Sequence, residues 1–229
     1  MPKIKAFYLW IIFAALVSIL KFNTEPTVGN VFNIYREAGL NWINSNSIYE
    51  SGRFLYLPFS AVFFSPLAYI KFKYAGVIWR FLNIFIFAFG IYCISRDTEN
   101  GKTEHKQTEW KFLVVSIISI LLSWATAKHG QATLLMAGLM LIACTSLVNK
   151  KFILAGFCLS LAIIIKPLSI VLALLAIALY PRVIISCIVA GILLIAVSFL
   201  TQDTSFILEQ LNQYPLTVSY THLTLPTKA

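Results

Sequence analysis

The sequence is poor in charge, and poorest in negative charge. Charged residues make up 12% of its 229 residues, and Asp and Glu together number 9 against 18 Lys and Arg. A soluble globular domain has about 25% charged and about 45–50% apolar residues, whereas this chain is 59% hydrophobic with a mean hydropathy of +0.81. These values exclude an ordinary soluble domain. They predict an all-α, polytopic transmembrane helical bundle, because long apolar runs with few charges are stable in a membrane.

Cysteine is scarce too, and its spacing carries no motif. The four cysteines are Cys93, Cys144, Cys158 and Cys187. All lie in apolar runs, without CxxC spacing or a flanking His, which is typical of small buried hydrophobic residues. We therefore expect neither a disulfide framework nor a metal site.

Seven apolar segments predict transmembrane helices. They cover residues 6–22, 76–95, 111–127, 131–148, 152–165, 167–180 and 182–200. The first is longer than a usual signal-peptide core and no small-x-small cleavage site follows it, so it is interpreted as a retained helix. The two short segments that meet at Lys166 and Pro167 predict a helix pair that reaches part-way through the bilayer.

The distribution of Lys and Arg predicts the orientation. If the short run 59–70 does not cross, the basic residues near the N-terminus, between residues 96 and 111, at 150–151 and at 182 all share one side. Short basic loops are retained in the cytoplasm. The sequence thus predicts a multi-pass protein of the inner or plasma membrane with a cytoplasmic N-terminus and an outer loop over 23–75.

Two helices are predicted in this outer loop. Apolar residues from Val31 to Ile43 recur at roughly helical spacing, which favours an amphipathic helix on the membrane surface. The run 59–70 is bounded by Pro58 and Lys71 and contains Pro66, so a half-inserted or juxtamembrane helix is expected there.

Four groups of polar residues are expected on the outer face. The carboxylates are Glu25, Glu37 and Glu50, candidate general bases or solvated loop charges. The basic group around Tyr56 and Pro58 comprises Arg36, Arg53, Lys71 and Lys73, which would bind an anion such as a lipid phosphate or reach towards lipid headgroups.

The third group, Lys128, His129, Gly130 and Gln131, indicates a hydrophilic cavity or an ordinary turn. The fourth is Lys166, a functional candidate or a snorkelling side chain.

Several short motifs occur in an order that resembles glycosyltransferase family 87. The matching residues are Tyr56, Pro58 and Pro66; Trp79, Leu82 and Asn83; Gly130 and Gln131; and Ala155, Gly156, Lys166 and Pro167. The resemblance runs from about residue 31 to 200, about the first half of a family member. It implies a GT-C membrane fold and a hexosyltransferase that moves a mannose-like sugar from a polyprenyl-phosphate donor to a lipid or glycan hydroxyl outside the cytoplasm.

The resemblance also implies roles for particular residues. Glu37 or Glu50 would be the catalytic base. Donor-phosphate or substrate binding would fall to Arg36, Arg53, Tyr56, Pro58, Arg80, His129, Gln131 and Lys166. Membrane lipids are expected partners, nucleic acid is not, and neither a metal nor another cofactor is required because the donor carries a single phosphate.

Two positions depart from the family pattern. Members often have Asp four residues before the tyrosine that corresponds to Tyr35, where this chain has Val31, and Asn at the position of Thr133. A valine cannot act as a base, so a nearby carboxylate takes the role, the geometry differs, or the chain is not catalytic. A transporter or flippase component, which short proline-interrupted helices would also suit, and a non-catalytic scaffold are the alternatives.

The C-terminal residues 219–229 follow neither helix nor loop patterns. They resemble translated sequencing-adapter sequence, so a truncated chain with a non-native tail is expected.

Overall fold

A computed structural model of the chain describes residues 2–22, 30–97 and 105–223, and these form helices without a strand. The ten α-helices are α1 (Pro2–Phe22), α2 (Val31–Ile43), α3 (Phe59–Ala68), α4 (Phe72–Asp97), α5 (His105–Lys128), α6 (Thr133–Val148), α7 (Phe152–Ile165), α8 (Ile170–Leu179), α9 (Val183–Thr201) and α10 (Thr204–Leu223). A 3-10 turn, Pro167–Ser169, joins α7 to α8.

The predicted all-α membrane bundle is confirmed. In the described ranges, four helical segments are long and apolar enough to cross a membrane: Ile4–Phe22, Phe72–Arg96, Glu109–Lys128 and Val183–Thr201. Large apolar side chains point outward from them, such as Leu122, which is 80% exposed. An outward apolar face is costly in water but matches lipid.

The bundle has two apolar cores. One lies where α1 packs against α4 and α5, and there the buried Trp10 indole N–H donates a 3.0 Å hydrogen bond to the Ser116 hydroxyl. The other is built from α2, α3, α6, α7 and α9. Helices α4 and α6 connect the two cores and cross closely, since a Cβ added to Gly138 would lie 2.6 Å from the Ile86 carbonyl oxygen.

The helices α2 and α3 pack at one end of the bundle. The predicted apolar stripe of α2 faces protein here, because Phe32, Tyr35 and Trp42 are fully buried. Helix α3 has 10 residues, about 15 Å of length, which is half the hydrocarbon thickness of a bilayer. Gly39 of α2 allows the close approach, since a Cβ there would lie 2.8 Å from the Phe64 carbonyl oxygen.

Helix α10 covers the loop that follows α2. The Ser47 hydroxyl donates to the Gln213 side-chain oxygen at 2.6 Å, and the buried Gln210 side-chain oxygen accepts the Ile48 amide N–H at 3.0 Å. The sequence did not single out this helix, because the residues after 200 are mostly polar and its buried contacts come from a few positions. Helix α10 extends to residue 223, so it includes the first part of the segment 219–229, and residues 224–229 lie outside the described part.

Candidate functional site

Polar side chains from five parts of the chain meet at the end of the bundle that holds α2. They come from the start of α2, the first turns of α4, the α5–α6 turn, the start of α6 and the α7–α8 turn. We call this group the polar end and define it by Asn30, Arg80, Gln131, Thr133 and Lys166.

Helix α2 is fixed to the α5–α6 turn by two hydrogen bonds. The Val31 amide N–H donates to the His129 carbonyl at 3.0 Å, and the Ala132 amide N–H donates to the Tyr35 hydroxyl at 3.1 Å. Both amides belong to helix starts, where backbone N–H groups lack partners within the helix. The predicted surface helix and the predicted polar turn are therefore a single unit.

Gly130 lies at the centre of this unit. Its φ is +64°, in the left-handed region that favours glycine, and its carbonyl accepts the Trp79 indole N–H at 2.7 Å. A Cβ at this position would lie 3.0 Å from the Phe32 Cβ and 3.7 Å from both an Arg80 guanidinium nitrogen and the Asn30 side-chain oxygen. Glycine thus leaves a small space between a buried cation and a buried amide.

Arg80 is a buried cation whose described contacts are with backbone. Its side chain is 4% exposed and donates to the carbonyls of Gly76 at 2.9 Å and Lys128 at 3.4 Å. Its Nε and the Asn30 Oδ1 are both buried without a hydrogen-bond partner in the described structure. Because a buried charge is costly unless it is compensated, Arg80 makes this end of the bundle favourable for an anion.

Lys166 and the α5–α6 turn are joined by a hydrogen-bonded chain. The Lys166 ammonium donates to the Thr133 hydroxyl at 2.7 Å, and that hydroxyl lies 3.3 Å from the Gln131 side-chain oxygen. Asn83 supports the same turn, since its side-chain oxygen accepts the Leu135 amide N–H at 3.2 Å in the first turn of α6. Two motifs that are 33 residues apart in the chain therefore form one site.

Aromatic rings form the wall beside this site. Tyr35 stacks on Phe64 with ring centroids 4.6 Å apart, and Trp79 meets both rings edge-on. The Tyr35 and Tyr56 hydroxyls lie 3.0 Å apart. Burial, with a smaller effect of Tyr56, raises the pKa of Tyr35 well above its usual value, so this hydroxyl stays neutral and can both donate and accept.

Three of the predicted residues have mainly structural contacts. Arg36 donates to the carbonyls of Ala68 and Ile70 at 3.2 and 3.1 Å, which ties α2 to the end of α3. Pro58 is buried at the start of α3, and Tyr56 shares the hydroxyl pair with Tyr35. Arg36 has therefore a visible reason to be at this face without a bound phosphate.

The predicted carboxylates do not lie within this hydrogen-bonded group. Glu37 is half-buried on α2, while Glu50 and Arg53 are exposed in the loop that follows it. His129 is half-buried, and its carbonyl holds α2 as described above. Glu25 lies outside the described residues.

Asn30, Tyr35 and Asn83 gain roles that the residues alone did not indicate. Asn83 is one of the residues that carry the family resemblance, with Trp79 and Leu82, so the resemblance was a usable signal for its position. Asn30 precedes the first residue of α2, where asparagine is a common helix cap, yet its side chain makes no capping hydrogen bond.

One comparison with known proteins gives a match. The model for Glycosyltransferase family 87 matches residues 54–225, which is three quarters of the chain and includes every residue of the polar end except Asn30. The resemblance in the motifs runs from about residue 31 to 200. The matched range starts later, after α2, and ends later, because it includes α10. No curated protein and no solved structure matches this chain.

Proposed function

This chain belongs to glycosyltransferase family 87, and on that premise we propose that it moves a mannose-like hexose from a polyprenyl-phosphate donor to a lipid or glycan hydroxyl. The reaction would take place at the polar end, on the outer face of the inner or plasma membrane, with the N-terminus in the cytoplasm. Family membership itself supports a membrane glycosyltransferase, and the finer assignments are the proposal.

The observation that carries the proposal is the pairing of a buried cation with a second, half-buried one at the same end of the bundle. Arg80 contacts Gly76 and Lys128 carbonyls, and Lys166 contacts the Thr133 hydroxyl. Neither cation contacts a carboxylate among the described residues. A phosphate would supply the missing negative charge, since charge-assisted hydrogen bonds to phosphate are about twice as strong as neutral ones.

The two cations would act differently on the donor. Lys166 is half-buried and would touch the phosphate directly. Arg80 is almost fully buried, so it would stabilise the same charge through a region of low dielectric. The need for positive charge rises during the reaction, because the leaving polyprenyl phosphate gains one negative charge.

The chemistry requires a base for the acceptor. A carboxylate would remove the proton from the acceptor hydroxyl while its oxygen attacks the anomeric carbon, and the bond from that carbon to the phosphate oxygen would break with its electron pair leaving on the phosphate. Glu37 and Glu50 are the proposed bases. Either would accept the proton and release it to solvent after transfer.

The geometry separates Glu37 from position 31. Six residues of helix place it about 9 Å further along α2, so its carboxylate does not replace an aspartate at Val31 in place. An acceptor that binds over the middle of α2 would reach Glu37. One that binds over the loop after α2 would reach Glu50.

Transfer of labelled sugar from polyprenyl-phosphate mannose tests the proposal, in membranes that carry the full chain. Glu37→Gln and Glu50→Gln are compared with Glu209→Gln, a matched change of an exposed carboxylate on α10. We expect one of the first two to lose about 100-fold or more of the rate, as removal of a general base does. Wild-type rates in both Glu37→Gln and Glu50→Gln would exclude these bases. If the wild-type protein transfers no sugar from polyprenyl-phosphate mannose or polyprenyl-phosphate glucose, the proposed donor is excluded.

A further inference from the structure

Two adjoining cavities lie at the end of the bundle opposite the polar end. The first, of about 340 Å³, lies between α4, α6 and α7. The second, of about 650 Å³, lies along the outside of α7. Sixteen residues of α4 separate Arg96 at this end from Arg80, which is about 24 Å along the helix axis, so these cavities are distinct from the site described above.

The first cavity has a mixed lining that includes two cations. Arg96 of α4 and Lys151 before α7 are its charged residues, and Thr145, Ser146 and Asn149, at the end of α6 and just after it, provide hydroxyl and amide groups. The rest of the lining is apolar or aromatic: Phe89, Tyr92, Cys93, Ile142 and Leu154. No carboxylate is among its lining residues in the described structure. The two cations and the hydroxyl and amide groups suit a small anionic group that bears hydroxyls.

The second cavity is an open apolar groove. Besides Lys150 and Lys151, it is lined by Phe152, Ile153, Leu154 and Phe157. Ile153 is 83% exposed, so this face of α7 meets lipid rather than another helix of the described chain. Lys151 and Leu154 line both cavities, so the two spaces adjoin at these residues.

The cations here are held by a defined turn. Lys150 has a φ of +58°, and the Lys151 amide N–H donates to the Ser146 carbonyl at 2.8 Å, which closes the end of α6. The two lysines therefore start at fixed backbone positions on the boundary between the first cavity and the apolar groove.

We propose that these cavities together bind one anionic phospholipid of the surrounding leaflet. Its phosphate would lie between Arg96 and Lys151, its headgroup hydroxyls in the first cavity, and one acyl chain in the groove along α7. Basic pockets between membrane helices bind anionic headgroups in this way. Under the predicted orientation, this is the cytoplasmic leaflet.

The experiment measures the unfolding temperature of the purified full chain in a neutral detergent. Dioleoyl phosphatidylglycerol should raise it by several degrees, and dioleoyl phosphatidylcholine, with the same acyl chains and no net charge, should not. The variant Arg96→Gln/Lys150→Gln/Lys151→Gln should lose the response, while Lys5→Gln/Arg182→Gln, which changes two exposed cations outside both cavities, should keep it. A full response in the first variant, or equal responses to both lipids, overturns the proposal.

A second measurement separates a bound lipid from a bound phosphate. Glycerophosphoglycerol has the same headgroup without acyl chains, and inorganic phosphate has neither. If either one alone reproduces the rise in unfolding temperature, the groove has no part in binding and the proposal fails. Retention of phosphatidylglycerol by the wild type and its loss from the triple variant, observed by native mass spectrometry, would support it even if the variant is less stable.

Discussion

The Lys166 ammonium lies 2.7 Å from the Thr133 hydroxyl, to which it donates a hydrogen bond between the α7–α8 turn and the start of α6. A lysine beside the end of an apolar helix can extend to the membrane surface, but this one is directed into the protein. The Thr133 hydroxyl is the acceptor for it. Because its position is fixed by this contact, Lys166 is a suitable cation to substitute in a test of donor binding.

We predict that Lys166→Met lowers kcat/KM for sugar transfer by about 10- to 100-fold. A hydrogen bond to a charged group contributes about 1.5–3 kcal/mol, and each 1.4 kcal/mol changes a rate about tenfold. Lys166→Arg should retain more activity because it keeps the charge. Arg182→Gln, an exposed cation at the opposite end, is the control, and an equal rate in Lys166→Met and the wild type contradicts the role.

We expect Val31→Asp to increase the transfer rate, and Val31→Asn to leave it unchanged. Residue 31 is the first residue of α2, and its amide is bonded to His129 at the α5–α6 turn. A carboxylate there is favoured by the helix dipole and would lie nearer to the polar end than Glu37. Indistinguishable rates for the two variants in labelled-sugar transfer would show that this position has no catalytic role here.

Tyr35→Phe should destabilise the protein by about 1–3 kcal/mol, the cost of leaving a buried donor unpaired. The change removes the acceptor of the Ala132 amide N–H and the partner of the Tyr56 hydroxyl. Tyr56→Phe is the matched control and should cost less, because Tyr35 then still accepts from Ala132. Denaturant unfolding in detergent measures both, and a larger loss for Tyr56→Phe would contradict the assignment.

The free energy of unfolding should fall at high pH because of two buried tyrosines, Tyr35 and Tyr49. Burial raises the pKa of Tyr35, and burial and Tyr214 raise the pKa of Tyr49. The folded state therefore holds these protons more tightly than the unfolded state, so their contribution is complete below about pH 10 and is lost as pH rises above it. Unfolding from pH 8 to 11 should show this loss, and Tyr35→Phe should show a smaller one.

Gly138→Ala should destabilise the bundle by about 1–3 kcal/mol, as overpacking does. The added Cβ would lie 2.6 Å from the Ile86 carbonyl oxygen, which belongs to the backbone of α4 and cannot rotate away. The matched control is Gly191→Ala in α9, where the nearest atom is 4.0 Å away and alanine favours the helix. Thermal unfolding in detergent compares them, and equal stabilities would mean that α4 and α6 pack less closely.

Much of the candidate site could be found from local patterns. Gly130, Gln131 and Lys166 stood out because polar groups at the ends of apolar helices need a reason to be there. The hydrogen-bonded chain from Lys166 to Gln131 could not be found in this way. It depends on how α6 and α7 are placed side by side, and no local spacing specifies that placement.

Local patterns could not identify the partners of α2 and Arg36. The apolar stripe of α2 predicted a helix, but its spacing could not tell a membrane surface from a protein neighbour, since both favour the same side chains. Arg36 illustrates the same limit. A cation on an outer loop attracts phosphate and carbonyl groups alike, and its bonds to Ala68 and Ile70 are visible only after folding.

By itself, the sequence determined that this protein is a helical membrane protein. The hydrophobic effect depends on composition and on the length of apolar runs, and both can be counted directly in the sequence. The tertiary structure decided which polar groups meet. Arg80 and Asn30 are 50 residues apart, and both lie 3.7 Å from the position of a Gly130 Cβ, because the close packing of helices brings distant residues together. Such contacts are set by shape over the whole bundle, and the order of residues does not display them.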